Sequence, residues 1–572
     1  MNFIKKLLFY LMAVVFLSSS LAVAAEPPGS SIGAQSERFQ EDAREKQDFL
    51  EAKKVKKPQI KIEEPEKKKE EAPKVQFMLR EVALQGATLF STKELAKFYQ
   101  PSLNQKVNFD DLNTIAQKIK AYYFSKGYWT TLVFLPAQDV KDGKVIIQIA
   151  EGKMGELKVE GNRWFSKWLI RRYAHTHSGE LLNMARLQKG IQRLDENSDI
   201  EIKAVVDKGE KPQTSDVVLQ VKDHFPWHIG FSEDNSGMRL TGKARSSISL
   251  RGSNVFGLND SLFSNTMLTS RSVGQAVNYE IPLNTYGTKA GFNFSYFSMR
   301  LGKEFKAASI KGYSSTYTPY LSQALYSDEN YQASANMGLE IKSIKRRQDA
   351  NQTTNDQLRL PYLGFDLSAL DRFRGQTSFS PQMTFGTQNF IGASIRNHPS
   401  ASRAGTGGFF ANYTQTLKRI QAMPWNTYLV LKSLFQAPSR SLPSSEQFQL
   451  GGMNSVRGYP EGDYSADIGA QLNADWVCPL AFLPEKWKVP YTGISVGKQL
   501  EVVGFTDLGG GKLKRVLPGE RQEKFLMGVG GGFRIHLWNN LYVRLEWAQA
   551  VGDQPTGGSG PSRLPYGIQS EI

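Results

Sequence analysis

Between residues 541 and 548 the chain runs Leu-Tyr-Val-Arg-Leu-Glu-Trp-Ala. In extended conformation this sends Leu541, Val543, Leu545 and Trp547 to one face and Tyr542, Arg544, Glu546 and Ala548 to the other. The same alternation sets Ile468, Ala470, Leu472, Ala474 and Trp476 against Gly469, Gln471, Asn473 and Asp475. A third segment sets Met527, Val529, Phe533, Ile535 and Leu537 against Gly528, Gly530, Gly532, Arg534 and His536. The opposite phase would put Arg534 in hydrocarbon, at about 2–4 kcal/mol near the midplane, so the apolar sets face lipid and the polar sets face water. Past residue 25 there is no long apolar run, and a bilayer crossed by strands requires every backbone group to be paired. The strands must therefore close into a barrel.

From Phe225 onward, short segments of this kind are separated by Gly, Asn, Asp, Pro and Ser. About sixteen can be counted from residue 227, with the stretch 300–410 matching the pattern least clearly. The expectation is a 16-stranded antiparallel transmembrane β-barrel over residues 224–572. Its last segment, Leu564, Tyr566, Ile568, Ser570 and Ile572, is expected to pair with the first and complete the closure.

What precedes the barrel is of a different character. Lys5 and Lys6, the apolar stretch Leu7 to Leu17 and the small residues Ala22 to Ala25 read as a secretory signal over 1–25, so the mature chain starts near Glu26 in the periplasm. Residues 26–56 favour helix, yet their apolar stripe (Phe39, Ala43, Leu50, Ala52) is too narrow to anchor a helix to a core. Such a helix belongs in water or in a water-filled lumen. Residues 57–74, with the run Glu63 to Glu71 and its prolines, read as a charged, disordered, extended linker.

Two small modules follow, over 75–152 and 153–223. In the first, a strand from Phe77 to Leu84 leads to a helix started by Ser91. Asn108 or Asp110 then caps a helix carrying Leu112, Ile115, Ile119 and Tyr122, and Tyr128 to Leu135 and Lys144 to Ile149 are strands. The same β-α-α-β-β order repeats from Met154 to Lys222. A tandem repeat of this kind is expected to bind an extended partner on exposed sheet edges, with two structural spacers as the bland alternative.

Composition narrows the chemistry. Cys478 is the only cysteine, which excludes an intramolecular disulfide and any multi-cysteine metal site. His175 and His177 lack a carboxylate or thiol partner and read as solvated surface, so no metal and no cofactor is expected. The net charge of +16 suits solubility and attraction to anionic surfaces rather than nucleic acid in a secreted chain. Gly509-Gly510-Gly511-Lys512 lacks the first glycine and the hydroxyl of a phosphate loop, and no nucleophile, histidine and carboxylate cluster points to a catalytic residue.

One short stretch stands apart. In Gly451 to Tyr464 a single arginine, Arg457, sits among turn-prone residues between two candidate strands, and about fifty residues later Phe505-Thr506-Asp507-Leu508-Gly509 offers a carboxylate on the next strand. On spacing alone, Arg457 is either folded back onto Asp507 or solvated outside.

At this point the chain resembles the TpsB transporters of two-partner secretion, the ShlB/FhaC/HecB haemolysin secretion/activation type. The resemblance is carried in order by Leu84 to Thr88, Tyr122 to Tyr128, Leu135 to Asp139, Ile149 to Gly152, Asp234 to Gly237 with Thr241-Gly242, and Asn254 to Asp260. It implies that the modules are polypeptide-transport-associated (POTRA) domains in the periplasm. It also implies a sixteen-stranded outer-membrane barrel that an N-terminal helix can plug. Val456-Arg457-Gly458-Tyr459 looks like the motif at the tip of the family's long loop near 451–464. Phe505, Asp507 and Gly509 look like the matching strand motif, with Asp507 receiving Arg457. The implied function is capture of an unfolded, secreted TpsA-like partner protein by the POTRA domains and its export through the barrel, with or without activation of that partner. Other implied partners are outer-membrane lipid and, during biogenesis, the barrel-assembly machinery. A passive solute porin and a barrel-assembly factor of the same superfamily are the alternatives. The chain departs from the family in ending at Ile572 rather than an aromatic residue and in carrying Ala466-Asp467 where Gly-Asp is usual.

Overall fold

The computed structural model describes residues 31–51, 59–62, 76–140, 142–328, 330–349, 351–488, 493–537, 540–556 and 560–571. The proposed signal, 1–25, and most of the linker lie outside the described residues, as does Ile572.

In the first module the strand Glu81–Gln85 pairs in parallel with Lys144–Ala150, which pairs antiparallel with Leu132–Phe134. Both helices start on capping boxes, Ser91 with Glu94 and Asn108 with Asp111, so of the two candidate caps Asn108 is used. The helix Phe109–Ser125 buries Leu112, Ile115, Ala116, Ile119 and Tyr123 against the sheet. The segment read as one strand from Phe77 is two. Phe77–Met78 pairs with Lys106–Val107, and at Arg80 the backbone changes partner to the carbonyl of Gly143.

The second module repeats this plan with helices Lys167–Ala174 and Met184–Asp195 over the strands Lys153–Glu160, Ile200–Lys208 and Thr214–Asp223. Its sheet has a fourth member. Gln59–Ile62, expected to be part of a disordered tether, lies parallel to Lys203–Val206 on the outer edge of the strand Ile200–Lys208. The physical reason is the edge itself: an unpaired row of N–H and C=O groups accepts any short stretch free of proline, and Gln-Ile-Lys-Ile is such a stretch.

Sixteen antiparallel staves close the barrel, the last in two pieces, Ser562–Arg563 and Tyr566–Glu571. Closure is made by Trp227–Asp234 against Tyr566–Glu571, from Gly230 opposite Glu571 to Asp234 opposite Gly567. Outward residues such as Ile229, Phe231, Leu363, Leu472, Trp476 and Trp547 are large, apolar and exposed, which is the lipid face. Within 300–410 run three long strands, Ile310–Ser327, Tyr331–Gln348 and Asn351–Leu370. Among the described residues no helix is long and apolar enough to cross a membrane.

The helix Ile32–Glu51 stands inside the barrel. Its apolar stripe, Ile32 and Phe39, packs on Met267, Phe297, Met299, Ile310 and Ile344, all inward-facing residues of the wall. Its polar flanks pair with the same wall: Glu37 with Lys342 at 3.1 Å, Lys46 with the Ser232 hydroxyl at 2.8 Å, and Asp42 with Arg245.

Candidate functional site

Between the strands Tyr428–Pro438 and Ile468–Pro479 the chain makes a long loop that turns back into the lumen. A small hairpin, Phe448–Leu450 with Tyr464–Ala466, carries the tip. Val456, Tyr459, Leu450, Tyr464 and Ala466 are buried with Leu526 and Ala550 of the wall, so the tip has an apolar seat. Two ion pairs hold its shoulders, Asp463 with Lys524 and Asp467 with Arg403.

Strand geometry explains how three wall residues act together. Phe505, Asp507 and Gly509 lie two apart, so all three face the lumen. Asp507 Oδ2 accepts from Arg457 Nε at 2.7 Å and from the Arg457 backbone N–H at 3.0 Å, while Oδ1 accepts from Nη2 at 2.7 Å. The Phe505 ring lies 3.5 Å from the guanidinium carbon. Gly509 leaves room for Val456, since a Cβ there would stand 2.7 Å from the valine Cγ2. On the loop side Gly458 has φ +94°, and a Cβ would stand 2.7 Å from the backbone nitrogen of Ala550. Only glycine lets the loop backbone approach the wall this closely. Tyr459 Oη accepts from the Gly552 N–H at 3.1 Å. The seven residues singled out in the sequence, Val456, Arg457, Gly458, Tyr459, Phe505, Asp507 and Gly509, thus meet in one place.

Two further carboxylates complete the arginine's shell. Arg457 Nη2 donates to Asp475 at 2.5 Å and Nη1 to Glu546 at 3.2 Å, and the side chain is 4% exposed. Arg534 bridges the same pair, Asp475 and Glu546, and Arg544 Nε lies 3.7 Å from Glu546. Three arginines face three carboxylates, so the network is neutral. Asn473 Nδ2 ties it to the loop by donating to both Asp507 Oδ1, at 2.8 Å, and the Ser455 carbonyl, at 2.5 Å. Sequence reasoning placed Asp475, Arg534 and Glu546 on the inward face without recognising them as partners of Arg457. The available signal was an inward charged residue on each of the two strands that flank the Asp507 strand and on the one beyond.

The N-terminal helix is joined to the same loop tip. Arg38 Nη1 pairs with Glu461 at 2.7 Å and Nη2 donates to the Gly451 carbonyl at 2.8 Å, and Asn454 Nδ2 donates to Asp42 at 2.8 Å. Asp42 in turn pairs with Arg245, which grips Asp234 on the first strand at 3.0 Å. The sequence carried no pattern for these contacts, because they join residues more than two hundred or four hundred positions apart.

Residues 213–510, just over half of the chain, match the family described as haemolysin secretion/activation protein ShlB/FhaC/HecB, and residues 77–152 match the ShlB-type POTRA domain. The chain belongs to the ShlB/FhaC/HecB family. It is a TpsB-type transporter of the outer membrane, with POTRA domains in the periplasm, and its class exports partner proteins by two-partner secretion. The heme/hemopexin transporter protein HuxB of Haemophilus influenzae is 23% identical over 391 residues, covering 67% of this chain and 69% of its own. The outer membrane transporter CdiB of Dickeya dadantii is 24% identical over 439 residues, covering 73% and 74%. Among solved structures, CdiB from Escherichia coli shares the fold with a TM-score of 0.74 at 19% identity, over 96% of this chain and all 100% of that one. BamA from Haemophilus ducreyi, lacking POTRA domains 1–3, has a TM-score of 0.51 at 14% identity, over 87% of this chain and 100% of that one. For this TpsB chain, family membership favours secretion over the passive porin. The BamA likeness shows that a barrel-assembly protein can share the barrel fold.

Proposed function

We propose that this TpsB transporter captures an unfolded, TpsA-like partner as an extended strand on its POTRA domains, and that the Arg457–Asp507 contact is the latch holding the loop in the lumen. The first POTRA sheet offers a short edge strand, Leu132–Phe134, whose Leu132 and Phe134 side chains are exposed beside it. An added strand would take its affinity from main-chain bonds and its selectivity from alternate side chains set against these two. The second sheet supports this reading, since the chain's own residues Gln59–Ile62 pair with one of its edges.

Both lumen fillers, the helix Ile32–Glu51 and the loop tip, must be displaced before a polypeptide can pass. The observation that carries the latch reading is the shell around Arg457, in which every guanidinium nitrogen has a carboxylate partner. The test is secretion of a candidate partner from cells carrying the parent, Arg457→Ala, or a deletion of residues 77–152, with membrane insertion checked for each. Loss of export with intact barrels supports capture and latch. Unchanged export in both variants overturns the mechanism.

A further inference from the structure

After the strand Lys153–Glu160 the second POTRA domain makes a tight turn, Gly161-Asn162-Arg163-Trp164-Phe165, whose side chains diverge. Phe165 is buried in the domain core, whereas Trp164 is 40% exposed. The turn is held rigidly: the Asp223 carboxylate accepts the backbone N–H groups of Arg163 at 2.9 Å, Trp164 at 2.6 Å and Phe165 at 2.8 Å. Asp223 ends the last strand of the domain, and the first barrel strand begins at Trp227. The turn is therefore fixed at the junction between domain and membrane.

What Trp164 touches there indicates what covers it. Its ring packs edge-on against Phe225 with centroids 5.0 Å apart, and Phe225 is 54% exposed. Phe225 lies two residues before the first barrel strand, on which Ile229 and Phe231 are exposed on the lipid face, so the pair stands beside the periplasmic end of that strand. The Arg163 guanidinium lies 4.9 Å from the Trp164 ring centroid. Periplasmic turns around the barrel carry further exposed aromatics, Phe256, Tyr286, Phe373 and Trp425. Aromatic rings at that depth occupy the headgroup layer, where an amphipathic indole is favoured over both water and hydrocarbon.

We propose that the Arg163–Trp164 turn, with Phe225, is an interfacial anchor that seats the second POTRA domain on the periplasmic leaflet, the indole among the headgroups and the guanidinium on lipid phosphate. The domain is also held to the barrel itself: Asp199 meets His228 Nε2 at 3.0 Å, Arg251 Nη1 at 3.5 Å and the Ser253 hydroxyl, Asn197 Nδ2 donates to the Ser253 carbonyl at 2.6 Å, and Arg193 Nη1 donates to the Thr285 carbonyl at 2.6 Å. The aromatic turn adds a contact with lipid to these contacts with protein.

The test uses the full chain in a Cys478→Ser background, reconstituted in phosphatidylethanolamine–phosphatidylglycerol nanodiscs. A bimane label on Trp164→Cys is compared with one on Lys208→Cys, an exposed residue at the opposite end of the domain's sheet. Lipids spin-labelled near the headgroup are expected to quench the label at 164 at least about threefold more than the label at 208, the contrast between an interfacial and an aqueous site. Equal quenching at the two positions overturns the anchor. So does protection of position 164 only when an exported partner is added, because the surface then belongs to the partner. Adding Arg163→Glu is expected to reduce quenching at 164 by about half by repelling lipid phosphate. No change would remove the guanidinium–phosphate contact from the proposal.

Discussion

Arg457→Ala tests whether the loop is held by charge pairing. The parent network balances Arg457, Arg534 and Arg544 against Asp475, Asp507 and Glu546, and Asp507 and Glu546 have fully buried side chains. Removing the arginine leaves three carboxylates facing two cations, and breaking a buried pair in this way costs about 3–5 kcal/mol. At about 1.4 kcal/mol per factor of ten, the seated-to-released ratio of the loop should fall by a factor on the order of 10² to 10³. Asp507→Asn is milder, because Arg457 keeps Asp475 and Glu546 and the amide oxygen can still accept a bond. The double variant Arg457→Ala with Asp507→Asn restores the balance at two against two, so its cost should fall short of the summed single costs by about 1–3 kcal/mol. The reading is the labelling rate of Val456→Cys, a position with 0% exposure in the seated loop, by a membrane-impermeant maleimide on whole cells in a Cys478→Ser background. If Arg457→Ala labels no faster than the parent, or if the double variant costs the sum of the singles, the loop is held by its apolar seat alone and the latch reasoning is wrong.

Gly458→Val should mimic the loss of the latch without touching a charge. The left-handed conformation at φ +94° costs about 1–2 kcal/mol for a residue with a side chain, before the clash with Ala550 is counted. Faster labelling of Val456→Cys is the check. In the first POTRA domain, Glu151 accepts the N–H groups of Thr88 and Leu89 at 2.9 and 3.0 Å and the Tyr123 hydroxyl at 2.7 Å. Burial works to raise its pKa, yet the hydrogen bonds from Thr88, Leu89 and Tyr123 outweigh it and hold the carboxyl below its ordinary value. A lowered native pKa contributes stability above the unfolded carboxylate range, and that stability is lost as pH falls through the native value. Glu151→Gln should therefore destabilise this domain by about 2–3 kcal/mol at neutral pH and flatten its acid unfolding, as read by proteolysis of the full chain across pH. Replacing Leu132 and Phe134 by Glu should weaken partner capture at least about tenfold, with barrel insertion unchanged, because two charges would then flank the strand to be added. Pull-down of the candidate partner reads this, and parental capture would move the docking site elsewhere.

Barrel strands were legible where the inward face meets charged and polar groups, as it does around Arg457. Asp475, Arg534 and Glu546 alternate cleanly with Trp476, Phe533 and Trp547, and one arginine was enough to set the phase. Legibility fell where the lumen is filled. In Thr288–Arg300 the inward residues Phe297 and Met299 are apolar because Phe39 of the helix packs on them, with ring centroids of Phe39 and Phe297 5.9 Å apart. In Asn351–Leu370 the inward Leu358 and Leu360 are apolar because Leu442 of the loop covers them. A period of two marks a strand only if its faces meet different surroundings, and apolar protein inside the barrel abolishes that difference. For the site, spacing alone left Arg457 with two destinations and the family motif named Asp507. Asp475 and Glu546 required coordinates, since an inward charge on a strand has no sequence mark of which loop residue it meets.

The composition of the seat bears on why the latch is ionic at all. Val456, Tyr459 and Leu450 already give the loop tip apolar burial, so an apolar residue at 457 would hold it more simply. Once the tip leaves, however, the wall it exposes must face a wet lumen and a passing polypeptide. Asp475, Asp507 and Glu546 take water readily when unpaired, and Arg534 and Arg544 remain to balance part of their charge. An apolar wall in the same place would offer a binding surface to any unfolded chain and retain it. Buried ion pairs add little net stability but are costly to form in the wrong geometry, which makes them suited to specifying one seated position. The same reasoning applies to Asp42, which joins Arg245 of the wall to Asn454 of the loop: pulling the helix out removes one partner from each. Helix and loop thus share polar partners, and under the proposed mechanism a partner chain that displaced the helix from the periplasmic side would loosen the loop tip before reaching it.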